Sequence, residues 1–373
     1  ILFIIAIAIL SVGYSQNTNS ANGEKSTEVV AFEKPSKKVL KKAKKSLDKG
    51  LKSKSKGKIE DALKRFNYAI EVYPEYADAH FQKGMIHFDQ NNMESASSSF
   101  KSAALYDNSN TEAFYYAGKS LYNLKDFNGV VEYLTTFTTA DDSNGEAWYL
   151  LGESYNQLKK FANALKPLEN AINLDSKSSD YHLAFGIAQL GAQNPTGAIT
   201  NLKWAWELNT SNIDILLSLG DAQFSIGDFS GVANSLSLYL DQNSNNSDAV
   251  YLCGLSYLKD GNSAKAVELL GKAVELDAEE LSKKLNYGIA LKLNKDFDLA
   301  NEQFDAILNI DRNHQEAKEE KVEVLFAQDK FEDALDLVKK VLIQDLNNPS
   351  VHHLMASTLA KLNRWEEAVD AEK

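Results

Sequence analysis

This chain is poor in the residues that build catalytic and covalently stapled domains. One cysteine, Cys253, stands in 373 residues, so no intrachain disulfide can form. Stacked helices over 300 residues bury enough apolar surface to do without one. Cys253 itself takes a slot that other segments fill with Leu151 or Leu219, and reads as a small buried hydrophobe. Arginines number three, Arg65, Arg312 and Arg364, which leaves bidentate phosphate recognition poorly supplied. No HExxH, CxxC, glycine-rich phosphate loop or GxSxG segment occurs. His352 and His353 are adjacent on a helix, point in different directions and make a poor metal pair. No catalytic site, cofactor or metal is expected, and the chain is not expected to be an enzyme.

What the chain has is a period. Gly50, Gly84, Gly118, Gly152, Gly186, Gly220, Gly254 and Gly288 follow one another at 34 residues. Twelve residues after each comes a small side chain: Ala62, Ala96, Val130, Ala164, Ala198, Val232, Ala266 and Ala300. Four further on stands a large apolar one: Phe66, Phe100, Leu134, Leu168, Leu202, Leu236, Leu270 and Phe304. Equal spacing of this kind marks a stack of like units, each meeting the next through the same contact.

The segment Gly145 to Ser178 displays one unit clearly. Trp148, Leu151 and Tyr155 share one face of a first helix, and Ala164, Leu168, Ala171 and Ile172 share one face of a second. Lys159 and Lys160 lie near the turn, and Phe161 opens the second helix. Each unit is therefore a helical hairpin in which Gly152 lets the two helices approach. His80, His182 and His352 take the slot of Trp148, and His87 that of Tyr155, so all four read as packing residues.

Trp148, Leu151, Gly152, Tyr155, Ala164 and Leu168 resemble the tetratricopeptide repeat, W-x2-L-G-x2-Y followed by A-x3-F, with Leu for Phe; its closing proline survives only as Pro74. The resemblance implies an all-α, right-handed superhelical solenoid of about ten 34-residue helix-turn-helix repeats over residues 37–373. The units run 43–76, 77–110, 111–144, 145–178, 179–212, 213–246, 247–280, 281–314 and 315–348, with a partial one at 349–373. It further implies that the first helix of each repeat lines a concave groove. Sites pointing inward are then Phe81, Met85, Phe88, Tyr115, Lys119, Tyr122, Tyr149 and Glu153, followed by Leu183, Ile187, Leu217, Phe224, Tyr251 and Leu255. An aromatic-rich groove suits an extended or helical apolar peptide. The same rings could equally complete the core between neighbouring first helices. Of these residues only Lys119 has the character of the lysine–asparagine clamp with which chaperone-binding relatives grip a terminal carboxylate, so that mode is not expected.

The two ends add a location and a charge. Ile1–Leu10 is wholly apolar and is followed by Ser11-Val12-Gly13-Tyr14-Ser15, with small residues one and three before a cut after Ser15. Residues 1–15 thus read as a signal peptide truncated at its start, the competing reading being a short membrane anchor. Residues 16–36 read as a flexible polar linker. The expected location is the periplasm or cell envelope of a bacterium, or beyond it. From Lys34 to Lys58 there are twelve lysines and one acid, Asp48; this segment of +11 in a chain of −12 leaves −23 on the rest. An acidic body argues against nucleic acid in the groove. Leu40, Ala43, Leu47 and Leu51 give the basic stretch one apolar helical face. Lys37, Lys38, Lys41, Lys42, Lys44 and Lys45 form the basic patch, either the solvated face of a capping helix or a contact for an anionic membrane or cell-wall surface. The leading expectation is a protein- or peptide-binding adaptor. The alternatives are the recognition arm of a larger protein, with a catalytic or cell-wall-binding domain beyond Lys373, and a surface-attached spacer.

Overall fold

A computed structural model of the chain describes residues 35–344 and 349–371. The apolar run Ile1–Leu10, the cut after Ser15 and the linker up to residue 34 lie outside the described residues. Twenty α-helices and no strand occur among the described residues. The chain forms two compact units, Ile1–Asn209 and Thr210–Lys373.

The first unit holds five hairpins: α1 (Lys37–Lys54) with α2 (Ile59–Val72), α3 (Ala77–Asp89) with α4 (Met93–Tyr106), α5 (Thr111–Asn123) with α6 (Phe127–Ala140), α7 (Gly145–Gln157) with α8 (Phe161–Leu174), and α9 (Ser179–Gly191) with α10 (Pro195–Leu208). The second holds five more: α11 (Asp214–Ser225) with α12 (Phe229–Leu240), α13 (Ser247–Lys259) with α14 (Ser263–Leu276), α15 (Leu281–Leu293) with α16 (Phe297–Ile310), α17 (Gln315–Ala327) with α18 (Phe331–Gln344), and α19 (Pro349–Lys361) with α20 (Trp365–Ala371). Each unit is an all-α repeat solenoid.

The glycine period is a packing period. A Cβ built on Gly152 would lie 2.4 Å from Cγ of Leu168, and one on Gly118 2.5 Å from Leu134. In the second unit a Cβ on Gly254 would lie 2.9 Å from Leu270, and one on Gly288 2.5 Å from Phe304. In the eight hairpins that have it, the glycine of the first helix therefore receives the large apolar residue of its own second helix, while Val322 and Ala356 take its place in the last two. Phe66, Phe100, Leu134, Leu168 and Leu202 are fully buried in the first unit, as are Leu236, Leu270 and Phe304 in the second. Each such side chain contributes roughly 1.5–3 kcal/mol by leaving water. The small residues four places earlier, Ala62 through Ala300, are fully buried as well, which is why they cannot be larger.

Turns and caps repeat on the same beat. The turn between the two helices of each hairpin contains one residue at positive φ: Gly57, Asn91, Lys125, Lys159, Gln193, Gly227, Gly261, Lys295, Asp329 and Asn363. All stand 34 apart, although only three are glycine. Five second helices start under a side-chain cap, as where Asn92 accepts from Ser95 N and Asp126 from Gly129 N. First helices do likewise at Asn110, Asn144, Ser178 and Asn246. These caps and turns fix where each helix begins, and so which residues face the neighbouring hairpin.

Within each unit the first helices of consecutive repeats touch: α5 meets α7 and α7 meets α9, while α13 meets α15 and α15 meets α17. Second helices make no contact of that extent among the described residues. The first helices accordingly form the inner side of each unit.

Candidate partner-binding face

In four repeats the fourth residue ties the hairpin to the segment before it. Trp148 donates Nε1–H to the carbonyl of Asp142 at 2.9 Å, six residues earlier. His80 reaches the carbonyl of Pro74 with Nε2 at 2.7 Å, and His182 that of Ser176 at 3.1 Å, both again six residues back. Lys284 does the same to the carbonyl of Ala278. Because the acceptor is a carbonyl, Nε2 of each histidine carries the proton. These histidines substitute for the tryptophan's N–H in a structural bond. Among the described residues no group of three or more His, Cys, Asp or Glu is placed to hold a metal ion, and no helix is long and apolar enough to cross a membrane.

On the inner side of the first unit the expected groove residues come together, but as ties between helices. Phe81, Met85 and Phe88 of α3 pack against the fully buried Phe100 and against Tyr116. The Phe88 and Tyr116 rings meet edge-on at 5.4 Å, and Phe100 stacks on Tyr116 at 5.3 Å. Tyr115 on α5 donates its hydroxyl hydrogen to Oε2 of Glu146 on α7 at 2.5 Å. Lys119 closes the triangle, 2.7 Å from Glu146 and 3.3 Å from the Tyr115 oxygen. Burial first, then the Glu146 carboxylate, pushes the Tyr115 phenol up to about 12. Burial works against ionisation of Glu146, but the bonds from Lys119 and Tyr115 outweigh it and hold the carboxyl below its ordinary value.

One turn along, the hydroxyls of Tyr122 and Tyr149 interact, and the Tyr149 ring stacks on Tyr181 of α9 at 5.0 Å and 26°. Burial raises the Tyr149 phenol far above neutrality, with Tyr122, Glu153 and Asp180 adding to the shift. All of these tyrosines are neutral hydrogen-bonding groups at physiological pH. Glu153 accepts from Asn156 Nδ2 at 3.2 Å and from Gln157 Nε2 at 2.7 Å. Leu183 and Ile187 are half-buried on α9. The result is a half-buried ladder of Tyr115, Tyr122, Tyr149 and Tyr181, edged by Glu146, Glu153 and Asp180, with Lys119 bonded to Glu146. Tyr181 and Glu146 belong to this ladder although their repeat positions did not mark them as inward-facing. Tyr181 was detectable as a departure from the period, since five other repeats have alanine at that place: Ala79, Ala113, Ala147, Ala249 and Ala317.

In the second unit Leu217, Phe224 and Leu255 are half-buried, Phe224 packing edge-on against Phe229 at 5.6 Å. Tyr251 corrects the expectation that it faces a partner. It is 7% exposed, lies in the core cluster of Val250, Leu258 and Leu270, and its hydroxyl accepts from Asn286 Nδ2 at 2.9 Å. Beside it sits a buried cation. The Lys283 side chain is 1% exposed, with Nζ 2.9 Å from Asp277, 3.1 Å from Glu280 and 3.3 Å from Asp248. It occupies the place of the buried alanines named above, so its charge enters the contact between hairpins and is neutralised there. Lys292 of α15 joins Glu320 and Glu323 of α17 in the same manner. Cys253 is buried.

The basic patch is a surface of another kind. Lys37, Lys38, Lys41, Lys42, Lys44 and Lys45 are exposed on α1, as are Lys49 and Lys52. The face opposite packs on α2 through Ala43, Ser46, Leu47 and Gly50. At its end Lys54 lies 4.0 Å from Asp89, and Lys42, bonded to Tyr68, feels the Glu71 carboxylate.

Sequence comparison agrees with this architecture. Tetratricopeptide repeat profiles match residues 48–113, 145–178, 247–280 and 291–358. The chain belongs to the tetratricopeptide repeat family. It is a protein–protein interaction scaffold, as arrays of this family generally are. No curated protein matches the chain. Solved structures similar to it include residues 41 to the end of MamA from Desulfovibrio magneticus RS-1 (20% identity, 47% of this chain and 97% of that one, TM-score 0.42). PilF from Pseudomonas aeruginosa is another (18% identity, 57% and 97%, TM-score 0.44). A tetratricopeptide repeat protein from Parabacteroides merdae is a third (15% identity, 67% and 99%, TM-score 0.42).

Proposed function

We propose that the chain is a non-catalytic adaptor of a bacterial cell envelope that holds a protein or extended peptide against the inner face of its first unit. The observation that carries this reading is the tyrosine ladder on α5, α7 and α9. Hydroxyls and carboxylates there are fixed by neighbouring first helices, so little ordering entropy is lost on binding. Tyrosine offers a large contact area with only two rotatable bonds and is favoured at binding hot spots. The carboxylates Glu153 and Asp180 suit a partner segment that mixes apolar side chains with cationic ones. Export rests on the apolar run Ile1–Leu10 with small residues at Gly13 and Ser15.

Photocrosslinking tests the reading. A benzophenone amino acid replaces the exposed Asn123 or Gln157 at the inner ends of α5 and α7, or the exposed Lys166 on α8 as the control. After irradiation of cells, the inner sites are expected to trap one discrete partner that Lys166 does not. Equal patterns from all three positions, or no adduct from the inner pair, would reject the assignment.

A further inference from the structure

We propose that α1 is a docking surface for an anionic lipid bilayer, separate from the inner face and independent of what binds there. At roughly 100° per residue, its exposed lysines sweep about 160° of the helix circumference, centred opposite the face that packs on α2. Elsewhere in the array several lysines are neutralised in place: Lys119 by Glu146, Lys166 by Glu169 at 2.9 Å, Lys283 by three carboxylates, and Lys340 by Asp336 at 2.6 Å. On α1 the eight exposed lysines make no ion pair among the described residues, in a chain whose net charge is −12. A capping face needs to be polar, but it does not need one sign of charge. Confining the positive charge to one helix creates self-repulsion that an anionic surface removes.

Two features favour a bilayer over a nucleic acid. Every cation on the face is lysine, with the one acid Asp48 exposed among them, and lysine is a compact point charge suited to diffuse headgroup charge rather than to forked recognition of single phosphates. Leu40 and Leu51 are 42% and 38% exposed. Eleven residues apart, they fall within about 20° of each other on one margin of the lysine arc. Two leucines on that margin have no role against a phosphate backbone, but they can enter the headgroup region of a membrane that the lysines approach. The helix cannot turn its main apolar face to lipid, because Ala43, Leu47 and Gly50 are held by α2. Attachment is therefore electrostatic and salt-sensitive.

The test is co-sedimentation of the full chain with phosphatidylcholine vesicles, with and without about one-third phosphatidylglycerol. It compares wild type with Lys41→Gln/Lys44→Gln/Lys45→Gln/Lys52→Gln and with the same four lysines changed to Arg. Lys42 is left alone because its ammonium lies over the Tyr68 ring at 5.1 Å. Binding is expected only to the anionic vesicles and is lost in about 0.5 M salt. A lysine at such a surface gives roughly a five-fold factor, so the fourfold Gln variant should bind on the order of several hundredfold more weakly, while the Arg variant retains binding. Unchanged helicity in both variants shows that the loss is not unfolding. Equal binding to neutral vesicles would assign attachment to the apolar Ile1–Leu10 segment and overturn the proposal. So would full retention by the Gln variant, or tighter binding of duplex DNA than of anionic vesicles at the same salt.

Discussion

Adding one methyl group to Gly152 should destabilise the array, and adding the same group seven residues earlier should not. A Cβ at Gly152 would sit 2.4 Å from Leu168 Cγ, 2.8 Å from its Cδ2 and 3.3 Å from the backbone oxygen of Ala164. Ordinary carbon contacts lie near 3.5–4.0 Å, so on the order of 1 Å must be found where a main-chain atom blocks retreat. Overpacking of this kind costs about 1–3 kcal/mol, set against the roughly 1 kcal/mol that alanine gains over glycine within a helix. The net expectation for Gly152→Ala is a loss of up to about 2 kcal/mol. At Gly145 the nearest atoms are Leu174 Cβ at 3.4 Å and the Tyr181 ring at 3.7 Å, ordinary contacts. Gly145→Ala should therefore be neutral or stabilise by up to about 1 kcal/mol. Leu168→Ala alone loses about 2–5 kcal/mol by opening a cavity. The added Cβ of Gly152→Ala fills part of that space, so the double variant should be more stable than additivity predicts by at least about 0.5 kcal/mol. Repeat arrays need not unfold in one step, so the measurement is hydrogen exchange across residues 145–178 in low denaturant, with circular dichroism as the global readout. Equal effects of the two glycine substitutions, or strict additivity with Leu168→Ala, would refute the close-approach account of the period.

Two further outcomes concern the charged ties. Lys283→Ala strips the cation from Asp277, Glu280 and Asp248 and should destabilise the second unit by about 1–3 kcal/mol, less than a sealed pair would lose because those carboxylates can take up water; exchange protection in α13 and α15 reports it. Glu146 is held below its ordinary value near 4.5, so its contribution is complete above that pH and is lost as the pH falls through the lower folded value. In Lys119→Met the burial of Glu146 loses its main counterweight, and the acid unfolding midpoint should move to higher pH. An unmoved midpoint would mean that the Lys119–Glu146–Tyr115 triangle carries no linkage.

The architecture was legible because the contact that builds it involves one chain segment and its own partner. Gly152 and Leu168 are sixteen residues apart in every unit, and a period in sequence reports such a contact directly. The tryptophan slot was legible for the same reason, since His80 and His182 keep its hydrogen bond to a carbonyl six residues back. The inner face was only half legible. Periodicity assigned Tyr115 and Tyr149 to one side of a helix, but their burial depends on Glu146 and Tyr181 in the next hairpin, which no single-unit pattern contains. Tyr251 failed on that point: Asn286 and Lys283 of the following repeat close over it. The turn residues at positive φ escaped notice because Lys125, Lys159 and Lys295 adopt a conformation for which glycine is the usual sequence marker.

The central claim is that first helices, not second ones, receive the partner. The most direct measurement is hydrogen exchange of the full chain alone and saturated with the protein trapped from Asn123 or Gln157. Slowed exchange confined to α5, α7 and α9 is the predicted result. Protection on α6, α8 and α10 instead, or unchanged exchange throughout Lys37–Leu208, would contradict it.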